Sequence, residues 1–326
     1  MDMKKKLISI VVIVRNEEKR IRGFIQSLLK VTGIESCDVL FVDGASTDGT
    51  AAQIVMMASQ YPFIRIVQCN NYGYSIQRNI GAHEAKGDYV LFLSADTIPN
   101  VKILHKYSAA ITKGFNCIQG SVINYEPENA KKHLSRVVSK FYKSSEDATP
   151  VIQLSTVNVC IKTELLRDAP FSENIDSYED KLWFYNYQDA INFTYLKLNP
   201  VYHLVHETPW EYLCKIYKEV RGLVSFTGPS LISARRYSCF EYKYICRLSL
   251  IVALFFIISL ICIALKGTVA FGVLLFLIVA RIAVFKYKNK FSVIEVLLYY
   301  TFYFAALCGY VAACCEWKRQ NKLQSG

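Results

Sequence analysis

LISIVVIVRNEE (residues 7–18), VLFVDGASTDGT (39–50) and YVLFLSADTIP (89–99) repeat one pattern: a short apolar run that stops abruptly at acidic and small polar residues. Each run has the length of a buried strand and is too short to span a bilayer, and each is followed by a stretch with helical spacing. Strands alternating with helices predict a parallel sheet with helices on both faces. Such a sheet binds its ligand where the strands end. Three acid-bearing strand ends on that edge predict a single polar pocket.

Working outward, the first strand (7–14) leads into a helix from Glu17, with Asn16 placed to cap it and Ile21, Phe24, Ile25, Leu28 and Leu29 at helical spacing. Further strands are expected at 38–42, 63–68 and 88–93, with helices to about Tyr61, over 75–86 and after Pro99. An apolar run near Ile118–Ile123 and another over 151–161 follow; residues 125–150 between them read as a variable region over the pocket. The acidic segment ENIDSYED (173–180) precedes an aromatic helix, and 201–222 reads as a strand, a histidine-bearing loop and an amphipathic helix.

The last third has a different composition. Residues 248–265 and 296–315 carry no charge, and 268–285 carries only Arg281. Eighteen apolar residues in a helix reach about 27 Å, close to the hydrocarbon thickness of a bilayer. Two to three membrane helices are therefore expected over 248–315, after an α/β domain at 1–230 and a basic linker at 231–247, with a basic tail at 316–326. Lys4, Lys5 and Lys6 precede too short an apolar run for a secretory signal, so the first two thirds are expected to stay in the cytosol, attached to the inner membrane. Part of the +11 net charge flanks the apolar segments, at Arg235, Arg236, Lys243 and Arg247 and at Lys286, Lys288 and Lys290. That placement suits a cytoplasmic leaflet, and no nucleic-acid-binding motif accompanies the charge. The eleven cysteines form no C-x-x-C pair and read as small buried hydrophobes.

Taken together, SIVVIVRNEE, VDGASTDGT, QRNIGAHEAKGDYVLFLSADTIP and Tyr178-Glu179-Asp180 resemble, in order and spacing, the family 2 glycosyltransferases. The resemblance covers roughly residues 7–222. It implies an α/β GT-A nucleotide-sugar-binding fold, mostly parallel in its sheet, and transfer of a sugar from a nucleotide diphosphate with inversion.

The residues support that chemistry. Asp43 ends a strand before a loop of small residues and can accept hydrogen bonds from a base or ribose, with Gly44 and Gly49 allowing close approach. The resemblance places a carboxylate like Glu17 near the nucleoside too, and often a second acid where this chain has Gly44. Asp96, in Ser94-Ala95-Asp96, stands where the family has Asp-x-Asp and can supply one ligand to Mg²⁺ or Mn²⁺; Ser94 is a departure. Arg78, in Gln-Arg-Asn-x-Gly, suits a diphosphate or holds Asp96 and Asp43 in place. Glu179 and Asp180 form the catalytic pair, with Asp180 as the base that takes the acceptor proton and Glu179 orienting the site or the acceptor. Similar histidine-bearing segments in related enzymes touch the metal or the diphosphate; for His203 and His206 the pattern does not choose between that role and a structural one, and His206 is the one assigned to the metal.

The expected acceptor is a glycan on a polyprenyl diphosphate carrier, in surface polysaccharide assembly. Two rivals stand beside it: a polyprenyl-phosphate sugar transferase, and a degenerate domain that binds nucleotide sugar without catalysis. Tyr178-Glu179-Asp180 argues against the first, because a lipid phosphate scarcely needs a base. Ser94 and Gly44 are what the second would look like.

Overall fold

The computed structural model describes residues 7–125, 154–175 and 177–204. The elements run β1 (Ile8–Val14), α1 (Glu18–Leu28), β2 (Asp38–Asp43), α2 (Thr50–Ala58), β3 (Ile64–Gln68), α3 (Tyr74–Glu84), β4 (Tyr89–Leu93), β5 (Thr97–Ile98), α4 (Ile103–Thr112) and β6 (Cys117–Tyr125). After residues 126–153 come β7 (Asn158–Lys162), α5 (Thr163–Asp168), α6 (Glu179–Tyr187) and β8 (Phe193–Leu204).

β1 and β2 are buried almost throughout, as strands covered on both faces must be. Ile10, Val12, Val39 and Phe41 lose essentially all contact with solvent; each such side chain stabilises the fold by about 1.5–3 kcal/mol. On α1 the apolar stripe Ile21, Phe24, Ile25 and Leu28 is buried, and Phe24 meets Phe41 edge-on at 6.2 Å between ring centres.

The strands order as β3-β2-β1-β4-β7-β6-β8-β5. The first four are mutually parallel, so β1, β2 and β4 end on one edge with their acidic residues. Among the described strands the sheet is mostly parallel, with β7 and β5 reversed. β7 runs antiparallel to both β4 and β6, β8 returns parallel to β6, and the two-residue β5 pairs antiparallel with the end of β8. The expectation of an α/β fold with a mostly parallel sheet stands, and the reversed β7 and β5 make that sheet mixed.

Asn16 does not cap α1. Its side chain accepts a hydrogen bond from the Thr47 N–H at 2.9 Å, and α1 instead receives Asp48, whose Oδ2 accepts from the Glu18 N–H at 3.2 Å. The Oδ1 of the same carboxylate accepts from the Thr50 N–H at 3.0 Å, so one aspartate caps two helices. The strand expected over 151–161 begins only at Asn158. Residues 125–150 apart from Tyr125, the 205–222 segment with His206, the basic linker and the proposed membrane segments lie outside the described residues. Among the described residues no helix is long and apolar enough to cross a membrane.

Candidate active site

The carboxyl edge of the parallel strands gathers most of the expected residues. Asp43 closes β2, buried, in register with Val14 of β1 and Gln68 of β3. Its carboxylate accepts from the Ser46 hydroxyl and, at 3.3 Å, from the Ser46 N–H, so the 43–46 turn folds back over the strand end. Ala45 takes a left-handed conformation (φ 56°) to make that turn.

Gly44 has a specific neighbour. A Cβ at that position would lie 2.8 Å from the carboxamide of Gln77. Gln77 is buried and its Nε2 donates to the Val14 carbonyl at 3.0 Å and the Val42 carbonyl at 2.9 Å, stitching the ends of β1 and β2. The space for a second acid is thus occupied from α3. The sequence reading missed Gln77; its signal was its place one turn before Gly81, where α3 lies so close to Val11 of β1 that no Cβ fits.

Glu17 sits at the head of α1, its carboxylate 3.2 Å from Arg20. Burial raises its pKa above the usual 4.5, opposed by Arg20 and reinforced by the negative charge of Asp96. Glu17 and Asp96 are therefore near enough for each to feel the other's charge. Asp96 meets His203 Nε2 at 3.2 Å, brought there by the pairing of Thr97 with His203 across β5 and β8. Of the two histidines considered for the metal, His203 is the one placed on Asp96; His206 lies outside the described residues.

Ser94 connects this corner to the acidic pair. Its N–H donates to the Val157 carbonyl at 3.3 Å, and the adjoining Thr156 N–H donates to Asp180 Oδ2 at 3.3 Å. One turn before β7 thus touches both the Asp96 loop and Asp180. Asp180 is buried in the first turn of α6 and also receives Lys181 Nζ at 3.2 Å, while Lys181 donates to the Leu154 carbonyl at 2.7 Å. Lys181 was not singled out from the sequence, where a cation beside two acids looks like an ordinary solvated helix charge.

Arg78 forms its ion pair with Glu179, in place of the Asp96 or Asp43 foreseen for it; both side chains are about nine-tenths buried (11% and 7% exposed). Burial raises the Glu179 pKa above 4.5, Arg78 opposes the rise, and Asp180 adds to it. Asn79 binds the segment before α6: its Nδ2 donates to the Phe171 carbonyl at 2.9 Å and to Glu173 at 3.0 Å, and its Oδ1 accepts from the Phe171 N–H at 2.9 Å. Next to the β1 end, exposed Arg15 stacks on Tyr72 with 3.9 Å to the ring centre.

Among the described residues no three His, Cys, Asp or Glu side chains converge as a ready-made metal cage. Asp96 and His203 nonetheless fit a divalent cation that takes most of its ligands from phosphate and water, and an imidazole favours Mn²⁺ over Mg²⁺ in such a pair.

Several known proteins resemble this chain in sequence or in fold. The family described as glycosyl transferase family 2 matches residues 9–173. Glycosyltransferase GlyG of Streptococcus pneumoniae is 25% identical over 143 residues, 43% of this chain and 45% of that protein. The cholesterol galactosyltransferase of Borreliella burgdorferi is 27% identical over 89 residues, 27% of this chain and 25% of that protein. The chain thus spans less than half the length of these curated relatives. In three dimensions the mannosyltransferase PcManGT of Pyrobaculum calidifontis, solved with GDP-Man and Mn²⁺, has a TM-score of 0.62 at 16% identity, over 94% of this chain and 88% of that one. S. aureus TarS 1–349, solved with UDP, has a TM-score of 0.50 at 22% identity, over 68% and 66%. The two structures carry the fold; the family match covers half of the sequence, and the chain belongs to glycosyl transferase family 2.

Proposed function

We propose that this protein is an inverting glycosyltransferase that moves a sugar from a nucleotide diphosphate to a lipid-linked glycan acceptor at the inner face of the cytoplasmic membrane. The observation that carries the catalytic part is the burial of Asp180 in the first turn of α6, tied through the Thr156–Val157 turn to the strand end that bears Asp96. A carboxylate fixed beside the strand-end acids is what a single displacement needs. The acceptor hydroxyl attacks the anomeric carbon, its proton passes to Asp180, and the bond to the diphosphate breaks with its electron pair on the leaving phosphate oxygen. Asp43 and Glu17 face the nucleoside side of the pocket, and Asp96 with His203 face the diphosphate side. A divalent cation held there, Mg²⁺ or Mn²⁺, would neutralise charge that develops on the leaving diphosphate.

The lipid-linked acceptor and the role in surface polysaccharide assembly rest on the uncharged stretches 248–265 and 296–315 and their basic flanks, which favour a membrane attachment with the catalytic domain in the cytosol. The polyprenyl-phosphate rival is less well served, because a phosphate acceptor has no use for a buried base.

The test is turnover across a panel of nucleotide sugars with and without Mn²⁺. Asp180→Asn should lower turnover by about 10²–10⁴ and leave donor affinity nearly unchanged, since the base acts on the acceptor. Wild-type turnover in that variant would remove Asp180 from the role. A protein that binds a nucleotide sugar and turns over none would be the degenerate binder instead.

A further inference from the structure

We propose that Arg78 and Asn79 are positioning residues for the acidic pair, acting through the 169–180 segment, and that neither binds the donor diphosphate. The inference rests on Asp180 being the base.

Adjacent positions on α3 grip the segment on both sides of a strained point. Upstream, Asn79 uses both halves of its carboxamide on both backbone groups of Phe171, each at 2.9 Å. A carboxamide offers a donor and an acceptor on separate atoms; an aspartate carboxylate or an aliphatic side chain cannot copy that pair. Phe171 is itself buried between Phe92 and Trp183, at 5.9 Å and 5.7 Å between ring centres, and Trp183 Nε1 donates to the Ala169 carbonyl at 2.5 Å. Downstream, Arg78 holds Glu179 in a buried ion pair.

Between the two grips, buried Tyr178 adopts a left-handed backbone (φ 68°, ψ 12°) at the entry to α6. A tyrosine is held in that region only where its surroundings over-determine it. The conformation turns the chain so that Glu179 points to α3 and the next residue, Asp180, to the Thr156 N–H. A guanidinium shielded from solvent and already paired with a carboxylate is poorly placed to serve a diphosphate as well. Arg78 instead sets the azimuth of the helix whose first turn carries the base. Glu179 is, on the same geometry, a positioning residue and not a catalytic one.

The experiment uses the full chain in nanodiscs, with UDP and GDP binding measured by calorimetry in the presence of Mn²⁺. Turnover is measured with the best donor of the panel described above. Arg78→Gln, Glu179→Gln and their combination form a double-mutant cycle, with Asn79→Ala and Arg78→Lys beside it. Each single change should lower kcat by about 10²-fold, the scale of a 1 Å misplacement, while nucleotide Kd and donor KM move less than about threefold. The combined variant should lose no more than either single change, because the same grip is lost once. A merely structural role would lower the folded fraction without splitting kcat from KM. Arg78→Gln raising nucleotide Kd tenfold or more, or losses that multiply in the combined variant, would overturn the proposal. Asp180→Asn, assayed alongside, separates the two readings: full turnover there dismisses the base, whereas nucleotide affinity in Arg78→Gln decides whether Arg78 serves the donor. Where Arg78→Gln does not fold, Arg78→Lys carries the same decision.

Discussion

At position 44, where the resemblance leads one to expect a second acid, this chain has glycine, and a neighbour from another element leaves no room for a side chain. Gln77 fills the volume a side chain would need while holding the Val14 and Val42 carbonyls. Gly44→Asp should therefore destabilise the fold by about 1–3 kcal/mol, the usual cost of forcing extra atoms into a packed site. Gly44→Asp combined with Gln77→Ala should recover part of that loss, as read from thermal unfolding of the two single variants and the double. The acidic pair offers a pH prediction. Burial raises Glu179, so on acidification it takes up its proton above the 4.5 of a free glutamate and discharges its pairing with Arg78. Turnover should start to fall at a correspondingly higher pH, and Glu179→Gln should lose that part of the acid limb along with its activity. An acid limb identical in shape in both proteins would show that Glu179 does not titrate there.

The elements were legible to different degrees. β1, β2 and β4 announced themselves because each is a continuous apolar run ending in polar residues, and α1 because its stripe recurs at helical spacing. The mixed half of the sheet was not legible: β6, β7 and β8 are apolar runs whose direction depends on pairing partners far apart in sequence, and periodicity does not encode direction. The candidate site divides the same way. Asp43, Asp96 and Asp180 could be named from their motifs, whereas the Arg78–Glu179 pair joins residues a hundred positions apart, and Gln77 and Lys181 look unremarkable in one dimension. At the opposite edge of the sheet, Asp38 begins β2 and accepts from Arg65 Nε at 2.7 Å, the Ser9 hydroxyl at 2.7 Å and the Lys86 N–H at 3.1 Å. Burial alone would raise its pKa, but these hydrogen bonds hold it below 3.8. A carboxyl depressed on folding contributes stability that is present above the unfolded value and lost as pH falls through the lower, folded one. Asp38→Asn should thus flatten the fall of Tm between about pH 5 and pH 3. An unchanged slope would mean that other carboxyls dominate acid unfolding.

For the whole molecule, we propose that the positive flanks at Arg235–Arg247 and Lys286–Lys290 keep the catalytic domain and the return of the chain on the cytosolic side of two membrane spans. The uncharged 296–315 stretch is long enough to cross once more, which would leave Lys318, Arg319 and Lys322 outside against the charge bias. We expect that crossing, because leaving so many apolar residues in water costs more than the weak bias, and a C-terminal reporter active only in the cytosol would refute it. The loops that meet at the carboxyl edge have a kinetic consequence. The Asn16 and Glu17 N–H groups donate to the Ser46 and Thr50 hydroxyls, Glu18 N–H to Asp48, and Thr47 N–H back to Asn16. Neither loop can let go of its amides without releasing the other's. In deuterated water these backbone hydrogens should exchange as one cooperative unit with a shared opening rate, and Thr50→Val should accelerate residues on the far loop as much as on its own.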